Sequence, residues 1–168
     1  MLVRRLVLLA ATPALLVMAA PAEAKVPAPA LPANAPATAI EPAVLMSEVV
    51  TMTNQQRQAN GCGQLAVDRE LTLASVRQSL YMARTGRFSH VWMDGTTFEA
   101  RSHAAGYAQP SGENIAWGYP TASEVINAWM ASPDHRENIL NCDARSIGTG
   151  VAYGGTGLPY YTEVFGYE

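Results

Sequence analysis

Lysine is nearly missing from this 168-residue chain, in which Lys25 is the only one. That excludes Schiff-base or lysine general-base chemistry in everything downstream. It also removes the basic patch that nucleic acid or an anionic membrane requires of a partner. Charge of either sign is sparse, at 15% of residues, and the formal net charge is −3. Cysteine occurs twice and histidine three times. No HExxH, His-x-His or CxxC spacing is present, so the sequence holds no local zinc motif. Pro13 interrupts the one long apolar run and Pro21 ends it. It therefore falls short of the roughly 20 residues that span a membrane.

What is present suits one domain with a real core, since 49% of residues are hydrophobic. The first 24 residues are expected to be a secretory signal peptide. Arg4 and Arg5 precede an apolar run over residues 6–20, and Ala22-Glu23-Ala24 has the small-x-small cleavage pattern. No cysteine lies near that point, so a lipid anchor attached there is not expected. Cleavage would remove two arginines and one glutamate and leave a net charge of −4. The mature chain is then expected to be secreted or periplasmic, without a transmembrane segment. Residues 25–43 are alanine and proline with little that is bulky, and read as a linker before a domain over residues 44–168.

Helical spacing of Leu45, Val49, Met52 and Gln56 predicts a first helix over residues 44–60. Asn54 and Arg57 lie one turn apart on it, where spacing alone assigns them to an exposed polar face. Asp68 caps a second helix ending at Gly86, with Leu71, Ser75, Gln78 and Met82 on one side. Thr96 and Glu99 form a capping-box pattern for a short helix that Gly106 ends; His103, in its last turn, suits the negative end of the helix dipole at the surface. Residues 112–116 read as a strand. Thr121 and Glu124 open a fourth helix with Val125, Ile126, Trp129 and Met130 on its apolar side, which makes Trp129 a core residue. Ser132-Pro133-Asp134 starts a fifth, carrying His135. Residues 147–153 and 159–166, joined through a glycine-rich turn, predict a β-hairpin. Helices first and hairpin strands late imply an α+β fold, with helices on an antiparallel sheet.

Cys62 and Cys142 allow one intramolecular bridge, which an oxidising compartment favours. Two free thiols are the alternative, and two lone thiols make a poor zinc site.

Several ordered segments then carry a resemblance. They are Asn54-x-x-Arg57, FSH at residues 88–90, GENIAWG at 112–118, WMASPDHRENIL at 129–140, IGTGVA at 147–152 and the terminal YYTEVFG. Together they resemble the CAP superfamily of cysteine-rich secretory, antigen 5 and pathogenesis-related-1 proteins, and its bacterial branch most. The resemblance implies an α-β-α sandwich with a central antiparallel sheet and an open cleft. In that family two histidines and two acids floor the cleft and can hold a divalent ion such as zinc. His90 matches the first histidine, Glu113 the first acid and His135 the second histidine. Ser132 stands where many members have the second acid, so the expected metal set is His90, Glu113 and His135, with zinc or another divalent cation held weakly. Asp134 and Glu137 are nearby acids that adjoin His135 on its short helix and are expected to point elsewhere.

The function implied is a binding module for a lipid, peptide or cell-envelope ligand. An alternative is a metal-dependent, peptidase-like hydrolase in which His90, Glu113 and His135 are the catalytic candidates and Glu113 the base. A serine nucleophile (Ser89, Ser111 or Ser132) beside His135 lacks any activating motif. A purely structural envelope role is the remaining alternative.

Overall fold

The computed structural model describes residues 39–168. The expected signal peptide, and the expected linker as far as residue 38, lie outside the described residues. The elements run α1 (Pro42–Ala59), β1 (Ala66–Val67), α2 (Arg69–Thr85), α3 (Phe98–Ala105), β2 (Pro110–Trp117), α4 (Ala122–Ala131), α5 (Pro133–Ile139), β3 (Ser146–Tyr153) and β4 (Pro159–Gly166). Helix α1 starts two residues earlier than the periodicity predicts, because Pro42 supplies a preset φ at its first turn. Packing begins earlier still. Ile40 lies against the main core, and its carbonyl accepts a 2.6 Å hydrogen bond from the Tyr153 hydroxyl.

The sheet order is β1-β3-β4-β2. Strands β3, β4 and β2 are antiparallel, as expected, while β1 adds two residues in parallel at the β3 edge. So short a strand leaves no period to read in sequence. Side-chain alternation sends Tyr161 and Phe165 of β4 to one face, with Leu45 and Val49 of α1, Val125 and Trp129 of α4 and Ile139 of α5. Val164 points the other way, into a cluster with Leu71 of α2 and Phe98 of α3. The result is helices on both sides of one sheet.

Gly148 and Gly150 set how closely α2 approaches. A Cβ on either would overlap the α2 backbone at Leu71–Thr72 or Ser75–Val76. In place of side chains, their carbonyls accept 2.9 Å hydrogen bonds from Ser75 Oγ and Ser79 Oγ. This explains why two buried serines occupy the inner side of α2.

Local signals at the helix ends mostly hold. Asp68 accepts from Leu71 N, Gly86 ends α2 in the left-handed region, and the Thr121–Glu124 capping box is complete. The box expected at Thr96 does not form. The cap of α3 is Thr97, since the Thr96 carbonyl instead accepts from Trp92 N and from Arg101. Ser132 occupies the N-cap of α5, but its hydroxyl makes no capping bond.

The expected exposed polar face of α1 is overturned. Arg57 is fully buried and donates to four carbonyls, those of Gly63, Ile139, Asn141 and Ala144, at 2.7–3.1 Å. Asn54 bonds both the N–H and the carbonyl of Leu65. Helical spacing cannot reveal this, because the partners lie outside α1, in loops and at the end of α5. The Cys62–Cys142 disulfide closes the same corner, with its Cα atoms 4.9 Å apart.

Candidate functional site

Strand β2 pairs only with β4 and forms one edge of the sheet. Its consecutive residues Glu113 and Asn114 point to opposite faces. Glu113 faces α3. Its side chain is fully buried, and both oxygens are taken: Oε2 by Arg101 Nη2 at 2.6 Å, Oε1 by His90 Nδ1 at 2.8 Å. His90 comes from the loop between α2 and α3, and its ring remains 45% exposed. A carboxylate gripped by a guanidinium acts as acceptor, so His90 Nδ1 donates and Nε2 keeps a lone pair in the neutral ring.

The loop carrying His90 is held from beneath. Gln78 donates to the Ser89 carbonyl at 2.7 Å and accepts from the Trp92 indole at 2.6 Å. Tyr81 stacks on Trp92 at 5.0 Å between ring centroids, and its hydroxyl accepts from Met93 N. Arg101 lies over the Trp92 ring, 5.6 Å from its centroid. With the loop's polar groups turned inward, Phe88, Val91 and Met93 are left 51%, 39% and 76% exposed around His90.

On the opposite face, Asn114 Nδ2 donates to the His135 carbonyl at 3.0 Å and to Glu163 Oε1 at 2.9 Å. Asn114 Oδ1 accepts from Asn138, and Thr53 donates to Glu163 Oε2 at 3.0 Å. Glu163 is entirely buried, and desolvation pushes its carboxyl up to about 7 against the opposing pull of those two donors. The His135 ring is half-buried. Its pKa is lowered, first by desolvation and then by repulsion from His90, with Asp134 acting in the opposite sense.

The structure brings His90 into direct contact with Glu113, while His135 is tied to β2 through its main-chain carbonyl and Asn114. Asp134 and Glu137 are exposed. None of the three candidate serines bonds a histidine. Ser89 bonds the backbone of Val91, Ser111 Oγ is buried without a partner, and Ser132 Oγ makes no capping bond. Among the described residues, no three His, Cys, Asp or Glu side chains are grouped to hold a metal ion. His103 is exposed and bonds the Ala108 carbonyl, away from the β2 edge. Trp129 is core, its indole bonded to the Ile115 carbonyl at 3.1 Å, while Trp117 stacks on Tyr160. A cavity of about 430 Å³ between α1 and the start of α4, lined by residues such as Ile40, Met52 and Ala122, contains no histidine.

Sequence reasoning missed Arg101 and Glu163. Both are buried charged residues; Arg101 lies outside the quoted motifs, and Glu163, though inside the terminal YYTEVFG segment, carries no signal there that sets it apart.

The model of the cysteine-rich secretory protein family (CAP) matches residues 50–165. An uncharacterized protein, YkwD of Bacillus subtilis (strain 168), is 36% identical over 110 residues, covering 65% of this chain and 43% of that protein. An extracellular protein containing a SCP domain from Bacillus anthracis is similar in structure. Its TM-score is 0.70 at 25% identity, over 76% of this chain and 41% of that one. An outer surface protein from Borrelia burgdorferi shares the fold, with a TM-score of 0.66 at 23% identity over 72% of this chain and 90% of that one. The chain spans less than half the length of the curated relatives it matches. No helix among the described residues is long and apolar enough to cross a membrane.

Proposed function

The chain belongs to the cysteine-rich secretory protein (CAP) family, and from that premise we propose that it is an exported binding module. Its cleft, flanked by His90 and His135, would hold a divalent cation such as zinc weakly beside a lipid, peptide or cell-envelope ligand. The observation that carries this reading is the state of Glu113. Its two oxygens already serve His90 and Arg101 in a buried setting, which suits an orienting role and not that of a free general base.

A loosely bound ion would rest on the two imidazoles. His90 offers Nε2, and His135, its pKa lowered, stays neutral at neutral pH. Two imidazoles with one outer carboxylate, and Ser132 where a second acid would add charge, make a low-affinity site with open positions. Bound there, the ion would supply positive charge for an oxygen donor of the ligand. The apolar rim of Phe88, Val91 and Met93 supports a ligand with an apolar part. The expected signal peptide and the extracellular and outer-surface descriptions of similar proteins support export. Mass spectrometry of exported protein should find an N-terminus at or next to Lys25.

Titration calorimetry of the metal-free protein tests the site. Zinc uptake at neutral pH should vanish in a His90→Ala/His135→Ala variant and weaken about 10- to 100-fold in Glu113→Gln. Uptake unchanged in the double variant would refute the site. Zinc-dependent hydrolysis of peptide substrates, lost in Glu113→Gln, would favour the hydrolase instead.

A further inference from the structure

We propose that Arg101 is the positioning residue of this site: one buried guanidinium that anchors His90 by its main chain and, through Glu113, by its ring, and so decides which ring nitrogen carries the proton. The proposal rests on the reading of His90 as a functional residue, but concerns the metal-free ring and needs no ion.

The geometry is a closed circuit. Arg101 Nη1 donates to the His90 carbonyl at 3.0 Å and the Thr96 carbonyl at 3.1 Å. Nη2 of the same group donates to Glu113 Oε2 at 2.6 Å, and Glu113 Oε1 meets His90 Nδ1 at 2.8 Å. The backbone of His90 and the acceptor of its ring are therefore referenced to one rigid plane. Only a fork of fixed donors can do this; a lysine nitrogen on a flexible stem cannot reach both the carbonyls and the carboxylate at once.

Mere loop anchoring does not account for the arrangement. The loop already has supports independent of Arg101, in Gln78 under Ser89 and Trp92 and in Tyr81 under Met93. Arg101 joins the His90 main chain to the group that grips its ring. A buried ion pair is also a poor source of net stability, because desolvation offsets the attraction. What the pair does provide is orientation. An imidazole as exposed as that of His90 would in water favour the proton on Nε2, whereas Glu113 draws it to Nδ1 and leaves Nε2 unprotonated. The charged groups bonded to His90 are Glu113 from β2, at its ring, and Arg101 from α3, at its carbonyl; His135 from α5 is the other titratable group that acts electrostatically with it.

Two-bond proton–nitrogen NMR correlation on the metal-free protein at about pH 8 reports which nitrogen of each neutral imidazole is protonated. Wild-type His90 should show the Nδ1–H form. Arg101→Lys should convert that single form into a mixture containing Nε2–H, with the His135 pattern unchanged and the disulfide intact. A wild-type His90 protonated on Nε2 would overturn the proposal without any variant, which covers the case in which Arg101→Lys fails to fold. A folded Arg101→Lys of lowered melting temperature but unaltered His90 tautomer would overturn it too, since that is what a purely structural role gives. Failure to bind zinc would sink the metal reading and leave this result standing.

Discussion

Glu113 and Asn114 are adjacent in sequence and hold the two site histidines from opposite faces of the sheet. Glu113 grips the His90 ring at 2.8 Å, and Asn114 the His135 carbonyl at 3.0 Å. Behind each stands a buried charged residue, Arg101 behind Glu113 and Glu163 behind Asn114. An edge strand suits this task, because its alternating side chains reach both layers.

Glu163 should make stability fall with rising pH. Its carboxyl lies at about 7 against an ordinary 4.5, so between those values the folded chain keeps a proton that the unfolded chain has lost. The stability it contributes is full below about 4.5 and is lost as pH rises through 7. Glu163→Gln keeps the shape but cannot ionise. Its stability relative to wild type should rise by on the order of 3 kcal/mol between about pH 5 and pH 8. Urea midpoints with the same pH dependence in both proteins would contradict this.

His135 should titrate below the ordinary histidine value of 6.5. Because His90 contributes to the lowering, His90→Ala should raise its midpoint; because Asp134 opposes it, Asp134→Asn should lower it further. NMR titration of the metal-free protein follows both directions, and a midpoint indifferent to His90→Ala would place the two rings apart.

Arg57 should be among the most sensitive positions in the domain. Arg57→Met strands four carbonyls that now accept from one buried guanidinium. The loss should be about 3 kcal/mol or more in equilibrium unfolding. Arg57→Lys should recover little, since one ammonium cannot reach four carbonyls arranged around a planar fork. A Lys variant as stable as wild type would show that charge, not geometry, matters there.

Reducing the Cys62–Cys142 bridge releases a loop with a sequence separation of 80 residues. Chain entropy alone then predicts a loss of about 4 kcal/mol and a melting temperature lower by on the order of 10 °C. Calorimetry with and without reductant measures it. A change of only a degree or two would mean that Arg57 and its carbonyls hold this corner unaided.

Helix limits, turns and the hairpin were legible in the sequence because each rests on residues within a few positions of one another. Asp68 with Leu71, Thr121 with Glu124, and Gly86 at its left-handed turn are such cases. The disulfide was legible because two cysteines admit one pairing, and His90, Glu113 and His135 stood out through the motifs that carry them. Their working arrangement was not. Glu113 lies 23 residues from His90 and 12 from Arg101, and Asn114 lies 49 from Glu163. Periodicity assigns a residue to a face but does not say what covers that face. Arg57, Arg101 and Glu163 are all residue types that sequence statistics place at the surface. Only the tertiary structure buries them, since the partners that make burial tolerable are carbonyls and side chains brought together by packing on the sheet. The sequence by itself therefore determined the family, the elements and the candidate histidines; packing decided that both Glu113 oxygens are engaged, by His90 and Arg101.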